Sequence, residues 1–268
     1  MKTSLFAVLA LCALSPAQDP EFTTPVATTL TQIRSDADAF RNVQVTFVAQ
    51  FAGLGKISNP FFTRFTPSDY ANFYVWADEQ PIWRRTSYEN IFGNLFYSKL
   101  APKLQQVFEL ETYQRMRITG IIRNTFQNQP WIEVVDFELL PDRVDSAVLS
   151  HMYRGEQFMT ERRWQRAIAE LTMAPGPGVP QSVQASAYQN LGVCYLRIGE
   201  ARQALGCLRT AVAMSERMDP ELEMLLATAE TKPSAELDRV VGQEGLKDFE
   251  RPMWEAFEQA GTGARAMR

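Results

Sequence analysis

The chain of 268 residues contains one histidine, His151. A His-based triad or a histidine-rich zinc site therefore has too few parts, and a lone histidine opening a helical segment reads as a packing or surface residue. Of three cysteines, Cys12 falls in a leading apolar run, which leaves Cys194 and Cys207. They lack the C-x-x-C spacing of redox or zinc sites. They read either as a disulfide, in an oxidising compartment, or as small packing residues of a helical hairpin. Gly53-Leu54-Gly55-Lys56 imitates a phosphate loop, but no glycine precedes it, no Ser or Thr follows Lys56, and no helix comes next. A strand bulge explains it better. No G-x-S-x-G elbow and no H-E-x-x-H occurs. Three carboxylate pairs could do acid–base work on a glycoside: Asp78 with Glu79, Glu109 with Glu111, and Glu133 with Asp136. None sits in a recognisable motif, and all read as solvated surface. No catalytic residue, metal or cofactor is expected, and the chain reads as a non-enzyme.

Binding chemistry is better represented. Phe61, Phe62, Phe65, Tyr70, Phe73, Tyr74, Trp76 and Trp83 crowd one stretch, with Arg64, Arg84 and Arg85 among them and Arg115 and Arg117 further on. These aromatics read either as a barrel core with its contact to a second domain, or as a stacking platform with cationic rims. On the second reading Trp76, Arg84, Arg115 and Arg117 are the candidate ligand-binding residues. The net charge of −4 and the well-mixed charges leave no basic stripe, so nucleic acid is not expected as a partner.

Elements of two periods must position these residues. A hydrophobic fraction of 46% and a charged fraction of 22% are those of a globular chain. Lys2 followed by the apolar run Leu5 to Leu14 and by Ser15-Pro16-Ala17 reads as a signal peptide over residues 1–17, with mature protein from Gln18. Leu11 stands where a lipoprotein signal needs a small residue, which argues against lipidation at Cys12. The run is too short to span a bilayer, and no transmembrane segment is expected. Residues 18–39 read as a Pro/Thr-rich linker and a short helix, with Leu30, Ile33, Ala37 and Phe40 at helical spacing.

From Val43 the period becomes two, with Val45, Phe47, Ala49 and Phe51 on one face and a bulge expected at Gly53 and Gly55. Turns are expected at Asn59-Pro60 and Thr66 to Asp69, and a strand over Tyr70 to Trp76. Ser87 to Val107 reads as mostly helical, with Ile91, Leu95 and Leu104 inward. A hairpin closes the region: Arg115 to Phe126, a Gln127-Asn128-Gln129 turn, then Pro130 to Leu140. That order of elements suits a small barrel over residues 40–141. Arg117-Ile118-Thr119-Gly120 with Trp131-Ile132-Glu133-Val134 resembles the last two strands of OB-like domains found in exported bacterial proteins.

After Pro141 the period is helical. Gly155, Phe158, Ala167, Leu171 and Ala174 return about 37 residues later as Gly192, Tyr195, Ala204, Leu208 and Ala211. Small residues at such offsets let antiparallel helices approach closely, and the large ones fill the space between hairpins. Tyr188 to Ala211 (YQNLGVCYLRIGEARQALGCLRTA) resembles the tetratricopeptide repeat, and the resemblance extends over residues ~148–230. Arg154 stands where that family prefers a large aliphatic residue, and the second repeat lacks its closing proline. Glu221 to Val241 and Arg251 to Ala260 read as degenerate capping helices. The helical domain thus spans 142–260, with a loose tail at 261–268.

The fold class expected is therefore α+β and multidomain, an OB-like β-barrel followed by all-α tetratricopeptide-type hairpins. The resemblance implies a groove lined by the first helices of successive hairpins. Its residues here would be Met152, Glu156 and Met159 from the first repeat, and Gln189, Asn190, Val193 and Arg197 from the second. The function expected is a periplasmic or secreted scaffold that binds a protein or peptide partner in the cell envelope through this groove. The alternative is an OB-type binder of oligosaccharide or another extended polar ligand, with the repeats as support. Partner identity and oligomeric state are not written in the sequence.

Overall fold

Residues 24–56, 64–215 and 220–231 are described by the structure, a computed structural model. The expected leader, most of the linker, the Asn59-Pro60 turn, Phe61 and Phe62, Ser234 to Val241, Arg251 to Ala260 and the tail lie outside the described residues.

The N-terminal half is a closed barrel of five strands: β2 (Gln44–Gly55), β3 (Tyr70–Ala77), β4 (Phe92–Ser98), β5 (Arg115–Phe126) and β6 (Gln129–Leu139). Around the barrel the order is β2-β3-β4-β6-β5, and β5 returns to β2. All pairings are antiparallel except β4 with β6. A two-residue strand, β1 (Val26–Ala27), lies parallel on β2. Closure depends on β2, which pairs with β5 over Gln44 to Gln50 and with β3 over Ala49 to Gly55. It turns from one partner to the other at a register shift between Phe51 and Gly53, the place where the glycines predict a bulge. Val45, Phe47, Ala49 and Phe51 point into the barrel with Phe73, Leu95, Tyr97, Met116, Ile118, Ile132 and Val134. Helix α1 (Leu30–Ser35) is capped by Thr29 and buries Leu30 and Ile33 in the same core.

The closing hairpin turns through Gln127 and Asn128, both at positive φ (49° and 60°). That is the two-residue turn whose twist matches its strands. The stretch Ser87 to Val107 corrects the helical expectation. It holds a short helix α2 (Arg85–Glu89), strand β4, and a second short helix α3 (Leu104–Glu109). Ile91, expected inward, is exposed, whereas Leu95 and Tyr97 face the barrel core and Phe96 packs outside with Phe65 and Trp131. A strand covered on both faces shows no clean alternation, so its period cannot be read.

The C-terminal half is helical: α4 (Ser146–Thr160), α5 (Trp164–Leu171), α6 (Gln181–Arg197), α7 (Ala201–Met214) and α8 (Pro220–Thr231). Asp145 caps α4 by accepting from the Val148 amide at 2.8 Å. The α4–α5 and α6–α7 pairs pack through the same contacts. A methyl group added to Gly155 would lie 2.5 Å from Leu171, and one added to Gly192 would lie 2.6 Å from Leu208. Ala167, Leu171, Ala204 and Leu208 are fully buried behind them. The turn after α6 uses Gly199 at φ 82°, while Arg162 takes the matching place after α4 at φ 57°. Cys194 and Cys207 are free thiols that pack in this second pair. Burial pushes the Cys194 thiol up to about 12, so its thiolate is scarcely populated. Among the described residues no helix is long and apolar enough to cross a membrane.

Candidate functional site

The helical core does not stop at the helices. Trp76, Ile82, Trp83 and Tyr88, all from the barrel half, belong to the same buried cluster as Met152, Tyr153, Met159, Leu191 and Val193. The segment Pro81-Ile82-Trp83-Arg84, between β3 and α2, is the part of the barrel half that reaches the face of α4 and α6. Pro81 fixes the backbone entering it, and the indole of Trp76 donates to the Tyr88 carbonyl at 2.8 Å to hold its far end.

Glu156 sits at the centre of this contact. Among the described residues it is the only buried acidic side chain, at 5% exposure. Its carboxylate accepts four hydrogen bonds from three residues. Trp83 Nε1 donates to Oε1 at 2.8 Å, and Arg84 donates through Nη2 to Oε1 at 2.8 Å and through Nε to Oε2 at 2.7 Å. Asn190 Nδ2 reaches Oε1 at 3.2 Å. Burial alone would lower the Arg84 pKa, but the hydrogen bonds and charge of Glu156 outweigh it and hold it above its ordinary value. A buried carboxylate is tolerable here because its lone pairs are satisfied and its charge is paired.

A second set of bonds braces the junction. Arg115 grips Asp78 through two bonds of 2.6 Å and also binds Asp142, which joins β5, the end of β3 and the connection to α4. Arg143 pairs with Glu111, and its amide donates to the Gly178 carbonyl at 2.9 Å. Trp76 stacks on Tyr113 with centroids 5.4 Å apart and packs tilted against Tyr88 at 5.0 Å. Burial raises the pKa of both phenols, Tyr113 far beyond its ordinary value with Tyr88 adding to the rise.

The expected groove residues and the expected platform residues thus meet in part. Glu156 from the first set binds Arg84 from the second, and Asn190 donates to the same carboxylate. Met152, Met159 and Val193 are buried beneath the barrel segment, and Gln189 is half-buried. Arg197 lies elsewhere, its guanidinium 5.7 Å over the Trp164 ring. Trp76, at 2% exposure, has no open face for a ligand, which corrects its expected role as a stacking residue. Arg115 is engaged with Asp78 and Asp142, while Arg117 lies on the exposed face of β5 with Glu138 at 2.7 Å. Trp83 was visible in the sequence as one aromatic among many. Its place between Pro81-Ile82 and two arginines is the local signal that sets it apart.

The carboxylate pairs separate. Asp78 serves Arg115 while Glu79 accepts from the Thr31 amide at 3.0 Å. Glu111 pairs with Arg143 while Glu109 accepts from Gln105. Glu133 holds Arg123 at 2.6 Å while Asp136 holds Lys103 at 2.6 Å. His151 Nδ1 lies 2.8 Å from Glu170, which also binds Arg154 at 2.9 Å. Among the described residues no group of three or more His, Cys, Asp or Glu gathers as a metal site would require.

A cavity of about 450 Å³ opens on the barrel beside Leu54, Tyr70, Asn72, Phe96, Lys99 and Phe108. Phe65 and Phe96 of its wall belong to the outer aromatic stack, in which Phe65 lies on Phe96 at 4.4 Å and Phe96 on Trp131 at 5.2 Å. Neither half of the molecule brings a known protein with it: no family model matches the chain, and no curated protein matches it.

Proposed function

We propose that this protein is an exported, non-catalytic adaptor of the cell envelope, in which tetratricopeptide-type helical pairs carry an OB-type barrel and present it to a protein partner. The observation that supports it most is the seating of Trp83 and Arg84 on Glu156, whose carboxylate Asn190 also binds. In tetratricopeptide domains the first helices of successive hairpins hold an extended segment of a partner. On that resemblance α4 and α6 are those helices, and the segment they hold is the chain's own. The two halves then act as one body, and the partner meets surfaces other than this face. The order of the barrel strands and the place of α3 before β5 suit the OB-type reading.

The test is capture of the tagged full chain from an envelope extract, followed by reciprocal capture through the tagged partner and reconstitution from the two purified proteins. The adaptor reading expects a stoichiometric complex that survives gel filtration. Failure to reconstitute any captured protein sinks it.

A second reading, binding of an oligosaccharide or another extended polar ligand, draws on the aromatic-walled cavity rather than on Trp76, Arg115 and Arg117. Tyr70 would supply the stacking face and Lys99 a polar contact. A glycan array on the purified protein, repeated with Tyr70→Ala, separates the two. Retention of a glycan that the substitution abolishes favours the second.

A further inference from the structure

We infer that the corner where the α4–α5 turn meets the end of α6 binds an acidic segment of a protein partner, one with paired carboxylates beside an apolar side chain. This rests on the adaptor reading and names where the partner docks. A cavity of about 370 Å³ there is lined by Arg162, Arg163, Trp164, Arg166 and Ile198, with Gln165 between them. Arg197 stands beside it, held 5.7 Å over Trp164, and Arg166 lies 6.0 Å over Phe158. Stacking of this kind fixes a guanidinium's orientation, and the N–H edge of Arg166 remains able to donate.

The concentration is not a consequence of composition, because the chain carries a net charge of −4. Glu161 pairs with Arg163 at 3.0 Å in an exposed contact. An exposed pair of that kind is easily exchanged for a better one. Among the described residues no carboxylate pairs with Arg162 or Arg166. The position of Arg162 is itself costly. The matching turn of the second pair uses Gly199, whereas Arg162 holds φ 57°, a conformation that disfavours a side chain by about 1 kcal/mol.

Such a rim recognises carboxylates through paired N–H donors, which planar guanidinium groups supply best. The wall of Trp164 and Ile198, the latter 37% exposed, suits an aromatic or aliphatic side chain between the acids. A free phosphate would use the rim and leave that wall bare. None of the lining residues belongs to the junction that holds the barrel, so the corner stays available while Trp83 and Arg84 are seated.

The experiment is fluorescence anisotropy of the full chain with a labelled acidic hexapeptide of sequence EDFEDL, beside its amide counterpart QNFQNL and inorganic phosphate as competitor. The acidic peptide is expected to bind, more weakly at higher salt, and the double variant Arg162→Gly/Arg166→Gln is expected to weaken it at least about tenfold. Because glycine is the residue the turn prefers, the variant retains its fold, which thermal melting verifies. Equal binding of both peptides, unchanged binding in the variant, or competition by phosphate with no peptide bound would each overturn the site. Repeating the partner capture with the same variant keeps the two proposals apart. A partner retained by the variant removes this site and leaves the adaptor reading standing, whereas a bound peptide with no reconstituted partner does the reverse.

Discussion

At the scale of single residues, Glu156 decides the most. A carboxylate at 5% exposure with four donors is stable only while its cation remains. Replacing Arg84 with alanine strands a buried charge, and the expected loss is about 3–5 kcal/mol, read as a lower denaturation midpoint. Adding Glu156→Leu to Arg84→Ala removes the stranded charge and should recover part of that loss. A double variant less stable than Arg84→Ala alone would contradict this account. Glu170 is the residue whose charge state links the fold to pH. Burial would raise its pKa, but hydrogen bonds from Arg154 and His151, with their charge, outweigh it and hold it below the ordinary carboxylate range. Its stabilising contribution is therefore complete above the unfolded value of about 4.3 and is lost as pH falls through the lower folded value. Melting temperature against pH, for the wild type and for Glu170→Gln, should show a shallower acid limb in the variant.

At the scale of elements, the helical pairs depend on an absent side chain. Gly192 and Gly155 let Leu208 and Leu171 cross their helices where a methyl group would lie within 2.6 Å. Gly192→Ala should gain about 1 kcal/mol of helix propensity, yet the forced shift of a fully buried leucine costs about 1–3 kcal/mol. The expected net result is a small destabilisation. A measured gain in melting temperature would show that the α6–α7 contact is looser than described. Gly206, in contrast, has nothing within 4 Å of an added methyl, so Gly206→Ala in α7 serves as the control and should stabilise.

At the scale of the molecule, Trp83 makes two halves into one folding unit. Its ring is 3% exposed and belongs to the helical core although it is carried by the barrel half. Trp83→Ala removes this anchor and one donor to Glu156, a loss of about 3–5 kcal/mol at the junction. The wild type should unfold in one calorimetric transition, and the variant in two, with the helical half melting first. A single transition in the variant would mean that Arg115 with Asp78 and Asp142 suffices to couple the halves.

The sequence by itself determined what depends on near neighbours. The alternation of Val45, Phe47, Ala49 and Phe51 fixes the face of β2, and the β5–β6 hairpin follows from two alternating runs around a polar turn. Gly155 and Gly192 at equal offsets announce the close helix contacts. Strand β4 escaped because both its faces are covered and the burial period vanishes. The junction escaped for a different reason. Arg84 and Glu156 are 72 residues apart, and in sequence each is one charge among many. Whether a charge is solvated or paired in a core depends on which surfaces the chain brings together. Only the closed barrel, turning its Trp83 segment toward α4 and α6, decided that the helices would hold part of their own chain.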